Sequence, residues 1–313
     1  MTSAPRVAEP LNGCQLVKRL IDLFAKDFGR RRLHGGSSIC QFDFQNNFGL
    51  VRGRSGSIIG SCMNLIILTP EDYDGDQRCV LRDHRADHIR SVLRAIPGQT
   101  VRIGMLNGNY GHGEIITVTP DAVELSCQFS EIPEDLTPAI DLICAVSRPK
   151  IMRKVLYVSA MMGVRRICFV RANRSEKSYL SSPLLTPEGA RPHLIEGLSQ
   201  GGFTALPKIW CEPLFRPFIE DRLDDLFGVA SHQRRLLVDP RGTQTVRSLR
   251  GDCDNSHIVV AIGPEGGWVD FERGLFEQQQ FVGVTLGPWT LRVEYAVTAI
   301  LAQLMLFTKK VSA

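Results

Sequence analysis

At 313 residues, with 43% hydrophobic and 22% charged residues, the chain has the balance of a soluble protein of two ordinary domains; its longest apolar stretch, Tyr295 to Phe307, is too short to span a bilayer. The net charge of +4 is no argument for nucleic-acid binding, because residues 1–62 hold nine Lys/Arg against four Asp/Glu and the remainder is close to neutral. Nine scattered cysteines without a CxxC pair point to neither a zinc site nor a disulfide framework, so no metal is expected and a reducing, cytosol-like compartment fits.

In chain order, residues 1–62 carry one amphipathic segment, Leu16 to Phe28, then Arg30-Arg31-Arg32 and a Gly/Ser/Asn-rich stretch. They read as an extension outside the fold: disordered, an organelle-targeting presequence weakened by Glu9, Asp22, Asp27 and Asp43, or a misassigned start. From Met63 a strand-like run, Asn64 to Leu68, opens a region of short strands. Helical spacing over Arg82 to Ala95 ends at Pro97-Gly98, and Thr100–Met105, Glu114–Thr119 and Val123–Phe129 alternate as strands. This region, 63–136, predicts a small β-barrel-like domain, followed by the Pro- and acid-rich linker Glu131 to Pro138.

Over 137–313 the rhythm becomes strand–helix–strand, the pattern of a parallel sheet covered by helices. Strands are predicted at Ile140–Val146, Val164–Val170, Leu206–Trp210, Leu236–Val238, Ile258–Ile262 and Val282–Leu286. Helices are predicted from Pro149 to Met162 with Gly163 as cap, over His193–Leu198, from Pro217 to Leu226, from near Asp270, and from Glu294 to Phe307. The last is apolar on nearly every face and needs cover on all sides. A basic run, Arg148 to Lys177, holds nine cations and one acid, Glu176, and only two aromatics, Tyr157 and Phe169. Such a run is either a solvated face or a phosphate-binding one, with Arg148, Lys150, Arg153, Arg174 and Lys177 as the candidate RNA contacts.

Two loops carry the chemistry. Ile258 to Gly267 is a buried strand running into Gly263-Pro-Glu-Gly-Gly267, and 20 residues on, Leu286-Gly-Pro-Trp-Thr-Leu-Arg-Val-Glu294 repeats the design. Glycines let the backbone bend sharply and present bare N–H and C=O groups to a ligand, and in an open α/β sheet ligands sit at the carboxyl ends of strands. The spacing is neither GxGxxG nor a P-loop, which disfavours a dinucleotide or a nucleotide triphosphate.

Ile262 to Trp268 with Glu272, Leu286-Gly-Pro288 and Leu291-Arg-Val-Glu294 resemble the signature of the RsmE family, small-subunit ribosomal RNA methyltransferases acting on uridine N3. Ser147–Lys150, Met162–Val164, Glu176–Tyr179, Gly197–Gln200, Arg216–Asp221 and His84–Gly98 agree in order, so the resemblance covers about residues 63–308. It implies a trefoil-knotted α/β (SPOUT) methyltransferase domain behind a PUA-like RNA-binding β-barrel, a homodimer, and small-subunit ribosomal RNA, free or in the assembled subunit, as partner. It also implies S-adenosyl-L-methionine held by Pro240, Ile262, Gly263, Glu265, Gly266, Gly267, Leu286, Gly287, Thr290 and Leu291. Arg292 and Glu294 are the candidate catalytic pair: a guanidinium beside O2 or O4 stabilises an ionising uracil, while Glu294 orients it, accepts the proton or simply starts a helix. Ser199, Phe203 and Tyr295 depart from the family pattern near elements expected to face RNA and cofactor. The resemblance implies a cytoplasmic enzyme, or one of an organelle matrix if residues 1–62 are a targeting sequence. Rival readings are a non-catalytic ribosome-assembly factor and a knotted methyltransferase of transfer RNA or a ribose hydroxyl.

Overall fold

The computed structural model of the chain describes residues 65–73, 77–130, 139–249 and 257–306; the expected extension over residues 1–62 and the linker over 131–138 lie outside the described residues. Strands β1 (Ile66–Leu68), β2 (Arg78–Leu81), β3 (Thr100–Met105), β4 (Tyr110–Val118) and β5 (Val123–Phe129) form one sheet in the order β1-β3-β4-β5-β2. All its pairs are antiparallel except β1–β3. Alternation sets the buried face: Val123, Leu125 and Cys127 point inward from β5 and meet Ile103, Ile115, Leu81 and Ile89. Ile89 belongs to helix α1, an α-helical turn (His84–Asp87) continued by a wider one (His88–Val92) and capped by the Asp83 carboxylate, which accepts from the Arg85 N–H. The sheet is open, with β1 and β2 at its edges, where the sequence predicts a barrel. Three-residue β1 instead turns its backbone toward the rest of the molecule: the Leu65 N–H donates to the Ser199 carbonyl at 2.9 Å, and Ser199 Oγ donates to the Leu65 carbonyl at 2.6 Å.

The second sheet is parallel throughout, in the order β10-β12-β9-β11-β6-β7-β8. Its strands are β6 (Ile140–Ala145), β7 (Arg166–Val170), β8 (Lys208–Glu212), β9 (Gln233–Val238), β10 (Gln244–Thr245), β11 (His257–Ile262) and β12 (Val282–Thr285). Helices α2 (Pro149–Met161), α3 (Pro187–Gly201) and α6 (Val293–Met305) cover one face. A helical stretch, α4 (215–227), and α5 (Asp270–Gln278) cover the other. Both faces being covered explains the uninterrupted apolar runs: Leu142 and Cys144 pack with α2, α3 and α6, while Ile143 and Ala145 pack with Phe218, Phe227 and Phe276. Leu65, Ile67 and Leu106 of the first sheet join the α2/α3/α6 core.

Two helix starts differ from the sequence reading. α3 begins at Pro187 rather than His193, because Thr186 Oγ1 accepts from the Gly189 N–H at 3.2 Å and Pro187 fits the first helical position; Pro192 lies inside the helix. α4 begins at Phe215, two residues ahead of Pro217. Pro149 does open α2, and Gly163, at φ +72°, follows its end.

Candidate functional site

Strand order, which no pattern in the chain discloses, assembles the site. β9 lies between β11 and β12, so the loops leaving these three strands meet along one edge of the sheet. Between them is a cleft lined by Val238, Asp239 and Pro240 after β9, by Ile262 to Trp268 after β11, and by Thr285 to Gly287 and Trp289 to Leu291 after β12. Val293 and Ala296 of α6 close it. All ten residues expected around a cofactor line this one cleft: Pro240, Ile262, Gly263, Glu265, Gly266, Gly267, Leu286, Gly287, Thr290 and Leu291. Asp239, Trp268, Thr285, Trp289, Val293 and Ala296 were not singled out in the sequence. Trp268 directly follows the glycine run and Asp239 precedes Pro240, which is the signal that was there to read.

The loops are held by side chains rooted in the core. Trp268 is 2% exposed and packs edge-on to Phe276 at 5.0 Å between ring centroids, with Phe215 at 5.8 Å. A Cβ built on Gly263 would stand 3.2 Å from the Trp268 ring nitrogen, so the glycine lets the indole close against the loop. Gly267 and Gly287 turn the chain at φ +71° and +130°, conformations that side chains resist. The buried Glu272 carboxylate accepts from the Val269 N–H at 2.9 Å and from the Asn173 N–H at 2.6 Å, tying the loop after β7 to the start of α5. Asp239 accepts from the Arg241 N–H at 2.8 Å and from Arg273 at 3.2 Å. Beneath the cleft, burial and then the Glu265 carboxylate push the Cys144 thiol up to about 12, which makes it an inert core group rather than a nucleophile.

The cleft's charge is one-sided: its lining contains two carboxylates, Asp239 and Glu265, and neither lysine nor arginine. That suits a ligand carrying positive charge on an apolar body and disfavours one carrying phosphates. Arg292 stands at the edge, exposed at the N-terminus of α6 between two cleft-lining neighbours, and its side chain has no partner among the described residues. Glu294 is elsewhere. It is 2% exposed, does not line the cleft, and takes a hydrogen bond from Lys154 of α2 at 3.1 Å, leaving its other oxygen buried without a partner. It does not pair with Arg292.

Arg148, Lys150, Arg153, Arg174 and Lys177 are exposed. Arg174 is not free, however: its guanidinium donates to the Gly266 carbonyl of the cleft loop, and the Arg148 N–H donates to Glu265 at 3.4 Å. Arg166 of the same run is consumed by Asp141 and by the Leu226 carbonyl. The three departures have different surroundings. Ser199 stitches α3 to β1, Phe203 packs against the main core, and Tyr295 lies 54% exposed with Lys154 5.8 Å over its ring.

A glycine-lined cleft at the carboxyl ends of parallel strands defines a small-molecule-binding α/β domain. The RNA methyltransferase domain family matches residues 134–305, the span of that domain. The chain is 32% identical over 244 residues to ribosomal RNA small subunit methyltransferase E of Treponema pallidum, covering 77% of this chain and 90% of that protein. It is 23% identical to ribosomal RNA small subunit methyltransferase E 1 of Borreliella burgdorferi, over 76% of this chain and 95% of the other. The crystal structure of a ribosomal RNA small subunit methyltransferase E from Neisseria gonorrhoeae, bound to S-adenosyl methionine, superposes with a TM-score of 0.62 at 23% identity, covering 78% of this chain and 98% of that one. The chain belongs to the ribosomal RNA small subunit methyltransferase E family.

Proposed function

We propose that this protein transfers a methyl group from S-adenosylmethionine to uracil N3 in small-subunit ribosomal RNA. The observation that carries the reading is the cleft without cations, built by three strand ends, with an unpaired arginine at its rim. The fit to the cofactor is chemical. Apolar walls from Val238, Ile262, Leu286 and Leu291 suit an adenosyl group, bare backbone at the glycines suits its polar edges, and Asp239 and Glu265 offset positive charge. Treponema and Borreliella relatives bearing the ribosomal RNA methyltransferase name, and the cofactor in the Neisseria protein, point the same way.

The bound cofactor supplies an already activated methyl group, so this chain's residues must orient the acceptor and exclude water. Uracil N3 carries a proton and must lose it to become a nucleophile. Arg292, exposed and unpaired, stabilises the negative charge that develops on the carbonyl oxygens O2 and O4 as that proton leaves to solvent. Glu294 acts from behind: anchored to Lys154, it fixes the first turn of α6 and with it the place of Arg292. Arg148, Lys150, Arg153 and Lys177 serve phosphates, while Arg174 links that surface to the cofactor loop through Gly266.

The same reading includes a trefoil knot, a PUA-like role for the five-stranded sheet, and a homodimer. Supporting the first is β9 lying between two strands that follow it in the chain. The second is supported by a mostly antiparallel sheet joined to the catalytic domain's core, and the third by Leu306, 79% exposed at the end of the apolar α6. No helix among the described residues is long and apolar enough to cross a membrane, and the reaction belongs wherever small subunits mature: the cytoplasm, or an organelle matrix. Small ribosomal subunits incubated with the protein and methyl-labelled S-adenosylmethionine will acquire label in their RNA; subunits left unlabelled would overturn the proposal.

A further inference from the structure

Trp289 lines the cleft yet is 74% exposed. The other two tryptophans are placed differently: Trp268 is buried, and Trp210 packs against Phe227 at 5.6 Å. Gly287, at φ +130°, brings its α-carbon under the Trp289 ring, and a Cβ built there would stand 3.2 Å from the six-membered half of the indole. A large flat apolar surface is thus presented at the rim of the cleft, on the loop that ends in the exposed, unpaired Arg292 three residues later. An aromatic face beside a free guanidinium is a surface that holds an unstacked nucleic-acid base.

We infer that Trp289 is the base-positioning residue: the target uracil stacks on its indole and is thereby presented to the cleft beside Arg292. The inference rests on the reading of the protein as a uracil methyltransferase and deepens it. It also divides the labour of RNA binding. The aromatics of the basic run are Tyr157, partly buried, and Phe169, buried, so the run serves phosphates while this loop supplies an exposed platform. A base to be modified must leave its stack, and a second surface on which to restack lowers the cost of extrusion.

The test uses the full chain and the emission of its exposed indole. In the presence of S-adenosylhomocysteine, oligouridine should quench tryptophan fluorescence, and an abasic oligonucleotide of the same length should not. Affinity for labelled oligouridine should fall about 5- to 150-fold in Trp289→Ala, the range for losing one stacked base, and stay near wild type in Trp289→Phe. Trp289 is exposed, so neither variant disturbs the core. Equal quenching by the abasic strand, or quenching on raising protein concentration without RNA, would overturn the inference. The last would assign the indole to contact between copies of the chain. An Ala variant with undiminished RNA affinity overturns it as well, whatever wild type does with label. A wild type that shows base-dependent quenching but methylates no small subunit supports the stacking and refutes the proposed reaction alone.

Discussion

Arg292 and Glu294 lie two residues apart in the chain and in opposite surroundings, one exposed and unpaired, the other buried and bonded to Lys154. That separation makes the account testable at single residues. Arg292→Ala should lower single-turnover methyl transfer by about 10²–10³ and leave cofactor affinity unchanged, because the lost interaction belongs to the transition state. The deficit should shrink at alkaline pH, where uracil ionises without help, and lysine should rescue only in part, keeping charge without the planar fork. A proportionate loss of cofactor binding and rate, with no recovery at high pH, would instead make Arg292 a structural clamp. Gly266 tests the cleft itself. A Cβ there would stand 2.9 Å from Cδ of Arg174, which donates to the carbonyl of the same residue. Gly266→Val should therefore displace Arg174, fill space at the cleft and weaken S-adenosylmethionine at least about tenfold by calorimetry, about 1.4 kcal/mol, with the circular dichroism spectrum unchanged. Unaltered affinity would put the cofactor elsewhere.

At the scale of elements, the parallel sheet is clamped at the end opposite the cleft. Asp141 on β6 is fully buried; it accepts from Arg166 of β7 at 2.9 Å and pairs with His257 of β11, so one carboxylate joins three adjacent strands. Burial would raise its pKa, but the hydrogen bonds and charges of His257 and Arg166 outweigh burial and hold it below its ordinary 3.8. A depressed folded value means stability that is present at neutral pH and lost as pH falls from about 3.8 through the lower folded value. Asp141→Asn should cost about 3–5 kcal/mol in urea unfolding, toward the lower end because Arg166 keeps some solvent, and should flatten the decline of stability below that pH. Equal stability of variant and wild type would show the clamp to be inert. The strands themselves were legible because burial on both faces of the second sheet leaves continuous apolar runs such as Ile140 to Ala145. Their order was not, since nothing local records that β9 lies between β11 and β12. The two glycine loops were recognisable from their residues, whereas the third strand end, at Pro240, came only from the family resemblance, and Trp268 and Trp289 stood in the motifs without being expected as cofactor contacts. The helix starts at Pro187 and Phe215 precede the expected His193 and Pro217: Thr186 caps the first, and Pro217 stands in the first turn of the second, where its missing N–H has no helical acceptor to lose. The hydrogen bond from the Ser199 hydroxyl to the Leu65 carbonyl was not legible, because nothing local records that α3 meets the start of β1.

For the whole molecule, the two sheets share a core through Leu65, Ile67 and Leu106, so the first sheet is fastened to the catalytic domain rather than tethered to it. A chain beginning at Met63 should therefore be soluble and keep its affinity for RNA and S-adenosylmethionine, and limited proteolysis of the full chain should stop at a core of about 250 residues, the size of an ordinary domain pair. Aggregation or loss of cofactor binding in the shortened chain would give residues 1–62 a structural task. The reaction assigned to the whole is narrower than methyl transfer to RNA, because Arg292 as described has work to do only where an acidic ring nitrogen must ionise. The most direct measurement is nucleoside mass spectrometry of small-subunit ribosomal RNA after incubation with the protein and methyl-labelled S-adenosylmethionine. The account predicts label in N3-methyluridine, reduced by Gly266→Val and strongly reduced by Arg292→Ala. Label in a 2′-O-methylated ribose or in another base, or transfer that survives both substitutions, would contradict it.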